Sequence, residues 1–358
     1  MASRWNWTMV VVALGVLVLT AAACGDSDGE EASSGSASAT GSAPATSGPP
    51  STAAPSSDGS TAAVPAATTA TSAAPAAGEG TFPLIIETSS GPVTIEARPE
   101  RIVSISPTAT EMLFAIGAGP QVVAVDEFSY YPAEAPVTDL SGFEPNVEAI
   151  LGYEPDLVVM SGDPSDVVAS LDAAGVPGLL LPAAEVIDDT YTQIEQLGAA
   201  TGSVGGAAEL VGQMQADIAD LTARVPANDE PLTYYHELDD LLFTVTSSTF
   251  IGQVYALAGL ENVADAADPQ GEAFGYPQLS AEYLITADPD LIFLADTKCC
   301  GQNATTLAAR PGFDQLTALQ EGNVVELDDD VASRWGPRIV DFLAAIVAAV
   351  NAVPAGTG

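Results

Sequence analysis

The sequence predicts an α/β protein that consists of two lobes with mostly parallel sheets. Short β-rich runs alternate with helical patterns along the chain, and one stretch of the chain is repeated. The apolar, β-branched run Arg101–Ser106 is followed by the helical pattern Thr108–Ile116. That pattern has Glu111 at capping-box spacing from Thr108, and Gly117 follows its end. Regular alternation of this kind favours Rossmann-like lobes in which helices pack on parallel sheets.

The internal repeat indicates two related lobes. Residues Asn146–Asp163 and Ser280–Thr297 share a capping residue, an apolar helical face, a Pro-Asp-Leu triplet and an apolar strand. A second pair, Phe114–Val122 and Tyr255–Val263, is separated by a similar distance along the chain. Helix–turn–strand units recur in any α/β protein, but the matching offsets favour one copy of the same unit in each lobe.

A long amphipathic helix is predicted between the repeats. Its apolar positions recur at steps of three and four residues: Ala207, Val211, Met214, Ile218, Leu221 and Val225. The pattern Val204–Val225 is followed by Pro226, and a helix of about 22 residues is about 33 Å long. We expect this helix (204–226) to be a stiff connection between an amino-terminal lobe (81–203) and a carboxyl-terminal lobe (227–358), with a ligand cleft between the lobes.

The amino-terminal segment predicts export and lipid anchoring. Arg4 precedes an apolar run over residues 8–20, and three alanines then lead to Cys24, as in a bacterial lipobox. The run is shorter than the ~20 apolar residues that a membrane span requires. We therefore predict a lipoprotein signal peptide (1–23), lipidation of Cys24, and a location on the outer face of the cytoplasmic membrane. Residues 24–80 are rich in Ser, Ala, Thr and Pro and predict a disordered tether.

Composition excludes several classes of function. The chain has 48 acidic residues against 8 lysines and arginines, a formal net charge of -40, whereas binding of nucleic acid requires clustered cations. No glycine-rich phosphate loop follows a predicted strand, and no Gly-x-Ser-x-Gly elbow follows one either, because the sequence of that form at residues 25–29 lies in the predicted tether. His236 is the only histidine, so a cluster of histidine ligands around a metal is excluded. The sequence thus indicates that the protein is not an enzyme, and we expect a monomer.

Three scarce side chains follow predicted strands of the second lobe. These are His236, Lys298 (the only lysine) and Arg334. Ligands of open α/β sheets bind at the carboxyl ends of the strands, so these residues are candidates for recognition of an anionic ligand. Local pairing with the abundant carboxylates is the alternative.

Aromatic side chains also lie at predicted strand ends. They are Tyr130, Tyr131, Phe143, Phe274, Tyr276 and Trp335. Each one alone is equally compatible with packing in the core or in a loop. Together they suit a wide, flat ligand, because aromatic faces give a large contact area at a low entropic cost.

Cys299 and Cys300 are adjacent. Thiols of exported proteins are usually oxidised, so the pair is a candidate vicinal disulfide. Inert thiols, or a free pair that binds a soft metal, are the alternatives.

The folded region resembles the class III substrate-binding proteins of ABC importers, which are receptors for cobalamin and ferric siderophores. The matching motifs occur in order over residues 82–353: RIVSISPTATEMLFAIG (101–117), SYYPAEAP (129–136), the segment 146–159 with its PDLVV, the segment 312–319, and ASRWGPRI (332–339). The resemblance implies capture of a small-molecule metal chelate in the cleft and delivery to an ABC permease with its ATPase. It implies no cofactor, and the only metal would be the one carried by the ligand.

The resemblance also places particular residues on cleft loops. By position in the motifs these are Tyr131, Phe143, Gly162 and Asp163 of the turn 161–163, Tyr276, Lys298, Arg334 and Trp335. It further implies one acidic residue on each lobe that docks onto arginines of the permease. The corresponding positions are Ser165 beside Asp166, and the pair Ser247-Ser248, which has no carboxylate.

Three hypotheses of function follow from the sequence. In the first, the protein binds a ferric siderophore or cobalamin, and the trio His236, Lys298 and Arg334 favours the anionic ferric siderophore. The second is a cell-surface metal-binding or redox protein that uses Cys299, Cys300 and His236. The third is a surface adhesion or sensor protein with the same fold and no small ligand.

Overall fold

The computed structural model describes residues 80–88, 90–227 and 230–353, all of which belong to one compact unit, Ala70–Gly358. The predicted signal peptide (1–23), Cys24 and the predicted tether up to residue 79 lie outside the described residues. Within the described part of the chain, every helix is too short or too polar to cross a membrane.

The first lobe begins with an antiparallel hairpin and continues as a five-stranded parallel sheet. The hairpin strands are β1 (Leu84–Thr88) and β2 (Gly91–Ile95). The sheet has the order β5-β4-β3-β6-β7 and consists of β3 (Ile102–Ile105), β4 (Val122–Asp126), β5 (Val137–Leu140), β6 (Leu157–Met160) and β7 (Gly178–Leu180). The helices of this lobe are α1 (Pro107–Ala115), α2 (Val147–Leu151), α3 (Val167–Ala173) and α4 (Ile187–Thr201).

The second lobe contains a four-stranded parallel sheet. Its order is β11-β10-β8-β9, and its strands are β8 (Thr233–Glu237), β9 (Glu261–Asn262), β10 (Leu291–Leu294) and β11 (Val324–Glu326). A long helix, α5 (Val204–Thr222), precedes this lobe in the chain. The helices of the lobe are α6 (Phe250–Leu257), α7 (Ala281–Ala287), α8 (Ala304–Ala308), α9 (Thr317–Glu321), α10 (Asp329–Ser333) and α11 (Ile339–Ala352).

The Pro-Asp-Leu repeat has the same structural role in both lobes. The Asp156 carboxylate accepts hydrogen bonds from the backbone N–H groups of Glu100 (2.8 Å) and Arg101 (2.9 Å), just before β3. The Asp290 carboxylate accepts from the N–H of Thr233 (2.7 Å), at the start of β8. In each lobe, the aspartate before one strand therefore satisfies donors at the start of the neighbouring strand. The predicted α/β fold with two related lobes is confirmed.

The N-cap of the first helix lies two residues earlier than the sequence predicts. Ser106 is its N-cap, because the Ser106 hydroxyl accepts a hydrogen bond from the N–H of Ala109 (3.3 Å), and Pro107 occupies the first turn. The capping box expected between Thr108 and Glu111 is wrong. The Glu111 carboxylate is instead bound by two arginines of the second lobe.

The two lobes also share apolar packing. Helix α11 contributes Ile339 to the core of the first lobe and Phe342 to the core of the second. Ile218 of α5 packs against both cores. This shared packing, together with α5, limits relative motion of the lobes, since packed interiors deform little.

Helix α5 offers a matched test of this packing at two glycines. A Cβ atom on Gly206 would lie 2.2 Å from the carbonyl oxygen of Ile116, whereas one on Gly212 would have no neighbour within 4 Å. We expect Gly206→Ala to lower the free energy of unfolding by about 2–3 kcal/mol, because the backbone must shift. Gly212→Ala should raise it by about 0.5–1 kcal/mol through helix propensity. Urea denaturation measures both, and equal effects at the two positions would contradict the packing described.

Candidate functional site

The carboxyl ends of the strands in the two lobes meet at a junction. The Tyr130 hydroxyl, on the loop after β4, donates to the Asp330 carboxylate (2.6 Å) in α10, which follows β11. Arg334 donates to the carbonyl oxygen of Phe128 (3.1 Å) on the same first-lobe loop. The loops that carry Tyr130 and Arg334, two of the predicted ligand-binding residues, therefore lie at this junction, where ligands of parallel sheets bind.

A buried carboxylate of the first lobe is held by two arginines of the second. Glu111 in α1 has a side chain that is only 1% exposed. It accepts hydrogen bonds from Arg334 Nη1 (2.7 Å) and Arg338 Nε (2.8 Å). The hydrogen bond to Glu111 outweighs burial and raises the pKa of Arg338. We call Glu111, Tyr130, Asp330, Arg334 and Arg338 the interlobe cluster.

Aromatic rings complete the interlobe cluster on the first-lobe side. The Arg334 guanidinium lies 5.5 Å from the centroid of the Tyr130 ring, and the Arg338 guanidinium lies 4.2 Å from that of Tyr131. Arginines stack well on such faces. The hydrogen bond to Asp330 raises the pKa of Tyr130. Tyr130 and Tyr131 thus contact the second lobe directly, although each remains about half exposed.

The two predicted cations of the site are paired with carboxylates. Lys298 Nζ donates to Asp328 (2.7 Å) and Asp330 (2.9 Å), and Arg334 also donates to Asp330 (2.7 Å). The structure therefore supports the alternative that the sequence left open, local pairing. Two of the three residues on which the anionic ligand was predicted, Lys298 and Arg334, are therefore already neutralised by carboxylates. The preference for a ferric siderophore is weakened accordingly.

His236 does not line the junction, and its prediction as a ligand-binding residue is wrong. It lies inside β8 and is completely buried, packed edge-to-face against Tyr255 and Phe342. Its Nδ1 lies 2.8 Å from the Tyr255 hydroxyl. Burial lowers the pKa of His236 to about 3. The strand was expected to end before this residue, but it continues to Glu237, and α11 covers the face on which the imidazole lies.

Exposed aromatic side chains line strand-end loops of both lobes. Phe143 is 76% exposed in the first lobe, and Phe274 is 88% exposed in the second. The ring of Phe143 packs edge-to-face on Phe128 at 5.7 Å. We define the aromatic surface as Phe128, Tyr130 and Phe143 of the first lobe with Phe243, Phe274 and Tyr276 of the second. Exposed large apolar side chains on such loops are candidates for contact with a ligand.

Backbone contacts tie the second-lobe part of the aromatic surface together. The N–H of Thr246 donates to the carbonyl oxygen of Gly275 (2.8 Å), and the N–H of Thr244 donates to that of Pro277 (3.0 Å). The loop after β8 and the loop that carries Phe274 therefore form one unit. Ser247, an implied docking position, donates its N–H to the Asp265 carboxylate (2.8 Å), so a carboxylate does lie beside it.

Two of the remaining predicted residues, Asp163 and Trp335, have structural partners. Asp163 accepts the N–H of Val168 (2.9 Å) near the start of α3, and Gly162 lies beside it in an exposed turn. Trp335 donates its indole N–H to Gln193 (3.0 Å), and its carbonyl oxygen accepts from the Thr190 hydroxyl (2.9 Å). Trp335 thus contacts α4 of the first lobe and reports on the junction.

The adjacent cysteines lie on the loop after β10. Both are exposed free thiols in the structure, with their sulfur atoms 2.6 Å apart. The vicinal disulfide therefore stays a prediction. Over residues 80–88, 90–227 and 230–353, no group of three or more His, Cys, Asp or Glu side chains is arranged to hold a metal ion. The hypothesis that His236 joins the two cysteines is contradicted, because His236 is buried and they are exposed.

Sequence reasoning missed a buried polar group beneath this loop. Arg310 forms two hydrogen bonds to the buried Glu237 carboxylate (2.7 and 2.6 Å). Both carboxylate oxygens of Asp296 are buried without a partner in the described structure, and burial together with Glu237 raises the pKa of Asp296 to about 7. The one feature of the sequence that could have indicated Arg310 is the scarcity of cations, because each of the few arginines is a candidate partner for a buried carboxylate.

The interlobe cluster predicts a large effect of neutralising Glu111. We expect Glu111→Gln to lower the free energy of unfolding by about 3 kcal/mol, because two largely buried guanidinium groups lose their charged acceptor. The control is Glu134→Gln, an exposed carboxylate on the loop after β4, which should change stability by less than about 0.5 kcal/mol. Chemical denaturation measures both. A Glu111 variant as stable as the control would show that the cluster contributes little.

Burial of His236 predicts a dependence of stability on pH. The pKa of His236 is lowered from 6.5 to about 3 in the folded protein, so only the unfolded chain takes up this proton between those values. The stabilisation is complete above pH 6.5 and is lost as the pH falls, by up to about 5 kcal/mol near pH 3. His236→Gln should remove this part of the dependence of the unfolding free energy on pH. Asp296, whose raised pKa changes stability in the opposite direction, is present in both proteins and cancels in the comparison. Parallel stability curves for wild type and variant would contradict the prediction.

Comparison with known sequences places this geometry in a family. The sequence profile of the family described as periplasmic binding protein matches residues 102–331. The ABC transporter substrate-binding lipoprotein YvrC of Bacillus subtilis is 30% identical over 73% of this chain and 83% of its own length. A cobalamin-binding protein of Halobacterium salinarum is 30% identical over 72% of this chain and 71% of its own length.

Solved structures agree with this result. The periplasmic vitamin B12 binding protein BtuF of Vibrio cholerae is 25% identical with a TM-score of 0.57, over 71% of this chain and 98% of that one. The periplasmic heme-binding protein RhuT of Roseiflexus sp. RS-1 is 26% identical with a TM-score of 0.61, over 70% of this chain and 99% of that one. These relatives are named as binding proteins rather than enzymes. As the sequence resemblance indicated, the chain belongs to the periplasmic binding protein family.

Proposed function

We propose that the protein is the substrate-binding component of an ABC importer and that it captures a cobalamin-type corrinoid at the lobe junction. The observation that carries this proposal is the aromatic surface, which leaves Phe143 and Phe274 exposed on strand-end loops of the two lobes. A corrin ring is a broad macrocycle with an apolar face, and aromatic side chains bind such faces with little loss of entropy. The names of the Halobacterium salinarum and Vibrio cholerae relatives support the same ligand class.

The electrostatics of the junction favour a corrinoid over a polyanionic ferric siderophore. Lys298, Arg334 and Arg338 supply three positive charges, whereas Glu111 and the run Asp328–Asp330 supply four carboxylates. Three minus four leaves a net charge of -1, within a protein of formal charge -40. Such a field disfavours a polyanionic chelate, because like charges repel most strongly where water is partly excluded. The proposal therefore reverses the preference drawn from the sequence.

The interlobe cluster sets how the ligand is captured. Glu111 is bound by arginines of the other lobe, and Ile339 and Ile218 add apolar contacts between the lobes. We infer that the cleft is largely preformed and that binding of the ligand requires only a small movement. Delivery to the permease and its ATPase follows from membership of the family and completes the proposed role.

Lipid anchoring at Cys24 is part of the proposal. It is supported by the apolar run that precedes Cys24 and by the lipoprotein name of the Bacillus subtilis relative. Cys24→Ser should move the protein from the membrane fraction to the soluble fraction of cells that express it. Equal membrane recovery of the variant and the wild type would rule out this anchor.

Titration with corrinoids tests the ligand. We expect cyanocobalamin to quench the fluorescence of Trp335 saturably, with ferric hydroxamates and haem binding more weakly. Phe143→Ala should weaken cobalamin binding about tenfold, because it removes a large exposed ring from the aromatic surface. The matched control is Ile85→Ala, which removes an apolar side chain that is 63% exposed on the amino-terminal hairpin.

Two results would contradict the proposal. One is tighter binding of a ferric siderophore or of haem than of cobalamin, which would keep the transport role and change the ligand. The other is an equal loss of affinity in the Phe143 and Ile85 variants, which would place the ligand away from the aromatic surface.

A further inference from the structure

The loop between β10 and α8 carries a pair of thiols that the proposed ligand site does not use. We call residues 295–303 the dithiol loop; it contains Cys299 and Cys300. Both thiols are exposed, and their sulfur atoms are 2.6 Å apart. The loop leaves the carboxyl end of β10 and therefore borders the junction between the lobes.

One carboxylate holds the backbone on the amino-terminal side of the thiols. Asp329 accepts hydrogen bonds from the N–H groups of Thr297 (2.8 Å), Lys298 (3.0 Å) and Cys299 (2.8 Å). The N–H of Cys300 donates to the carbonyl oxygen of Asp296 (3.2 Å). The backbone N–H groups of both cysteines thus have acceptors in the dithiol state.

The dithiol loop is connected to the interlobe cluster through one side chain. Lys298 Nζ donates to Asp330 (2.9 Å), and Asp330 accepts the Tyr130 hydroxyl of the first lobe (2.6 Å). Two hydrogen bonds, Lys298 to Asp330 and Tyr130 to Asp330, therefore connect the backbone beside Cys299 with the opposite lobe. Because Lys298 is the residue before Cys299, it cannot stay in place if that backbone rotates.

We propose that Cys299 and Cys300 form a reversible redox modification site, in which a vicinal disulfide weakens the contact between Lys298 and Asp330 and lowers affinity for the ligand. The co-reactant is an external disulfide, RSSR. The Cys300 thiolate attacks one sulfur of RSSR, forms a mixed disulfide and releases one RS⁻. The Cys299 sulfur then attacks the Cys300 sulfur and releases the second. The two cysteine protons pass to the two released thiols, so that dithiol and RSSR give vicinal disulfide and two RSH.

The order of attack follows from the surroundings of Cys299. Partial burial, the hydrogen bond to Cys300 and the nearby Asp329 carboxylate raise the pKa of Cys299 to about 12. Cys299 is therefore held as a thiol, and Cys300 is assigned the first attack because thiolates are the nucleophiles in exchange.

The short separation of adjacent Cα atoms makes this disulfide easy to reduce, so that it can form and break reversibly. Adjacent Cα atoms lie about 3.8 Å apart across a trans peptide, shorter than the usual ~4.4–6.8 Å of disulfides. The bond is therefore strained, and strained, exposed disulfides are readily reduced. It also closes a loop of adjacent residues, so it constrains the unfolded chain little. Relief of the strain would turn the N–H of Cys299 away from Asp329.

The chemical step is tested without any ligand. In a chain with Cys24→Ser, Cys299 and Cys300 are the only thiols. After exposure to oxidised glutathione, we expect the peptide that contains them to lose two hydrogen atoms in mass, to resist alkylation, and to recover both properties with dithiothreitol. A peptide that stays fully alkylatable, or that carries only glutathione, would overturn the proposal.

The effect on the site rests on the proposed function and is measured in the same samples. Oxidation should lower affinity for cyanocobalamin about tenfold, because loss of one charge-assisted hydrogen bond weakens binding by about that factor. It should also change Trp335 fluorescence. The double variant Cys299→Ser, Cys300→Ser should show neither response. A disulfide that forms without either change would overturn the coupling. If the reduced protein does not bind cobalamin, the proposed function fails, and Trp335 fluorescence alone decides whether the switch reaches the junction.

Discussion

The contact on which the rest of the structure depends is the one between Glu111 and the two arginines of the second lobe. A carboxylate that is 1% exposed is unfavourable by several kcal/mol unless charged donors satisfy it, and Arg334 and Arg338 do so only when the lobes are together. This requirement, with the apolar packing of α11 on both cores, fixes one lobe relative to the other. The loops after the strands of both sheets are consequently presented at one junction.

The scarcity of cations explains the chemistry of this junction. A chain with 8 lysines and arginines places Lys298, Arg334 and Arg338 together, and all three are paired with carboxylates. Positive charge is therefore used to hold the lobes rather than to attract a ligand. What remains exposed for recognition is aromatic, and Phe143 and Phe274 are its most exposed members. Affinity would then come from burial of apolar area, which depends little on salt.

Much of the fold could be predicted from the sequence, because it rests on local patterns. The Pro-Asp-Leu triplets predicted two related lobes, and Asp156 and Asp290 have the same role in the structure. The site could be predicted only in part. Glu111 and Asp330 are two of 48 acidic residues, and nothing local distinguishes a carboxylate that pairs across lobes. His236 was misjudged because its burial depends on α11, which lies about a hundred residues further along the chain.

We propose that the ligand binds to the aromatic surface of a junction whose lobes stay in place. A crystal structure of the protein with cyanocobalamin bound would show where the ligand lies and whether the lobes have moved. We expect the corrin ring against Phe143 and Phe274, with Glu111 still bound by Arg334 and Arg338. A corrin ring bound elsewhere, or lobes rotated apart so that the Glu111 contacts are broken, would contradict it.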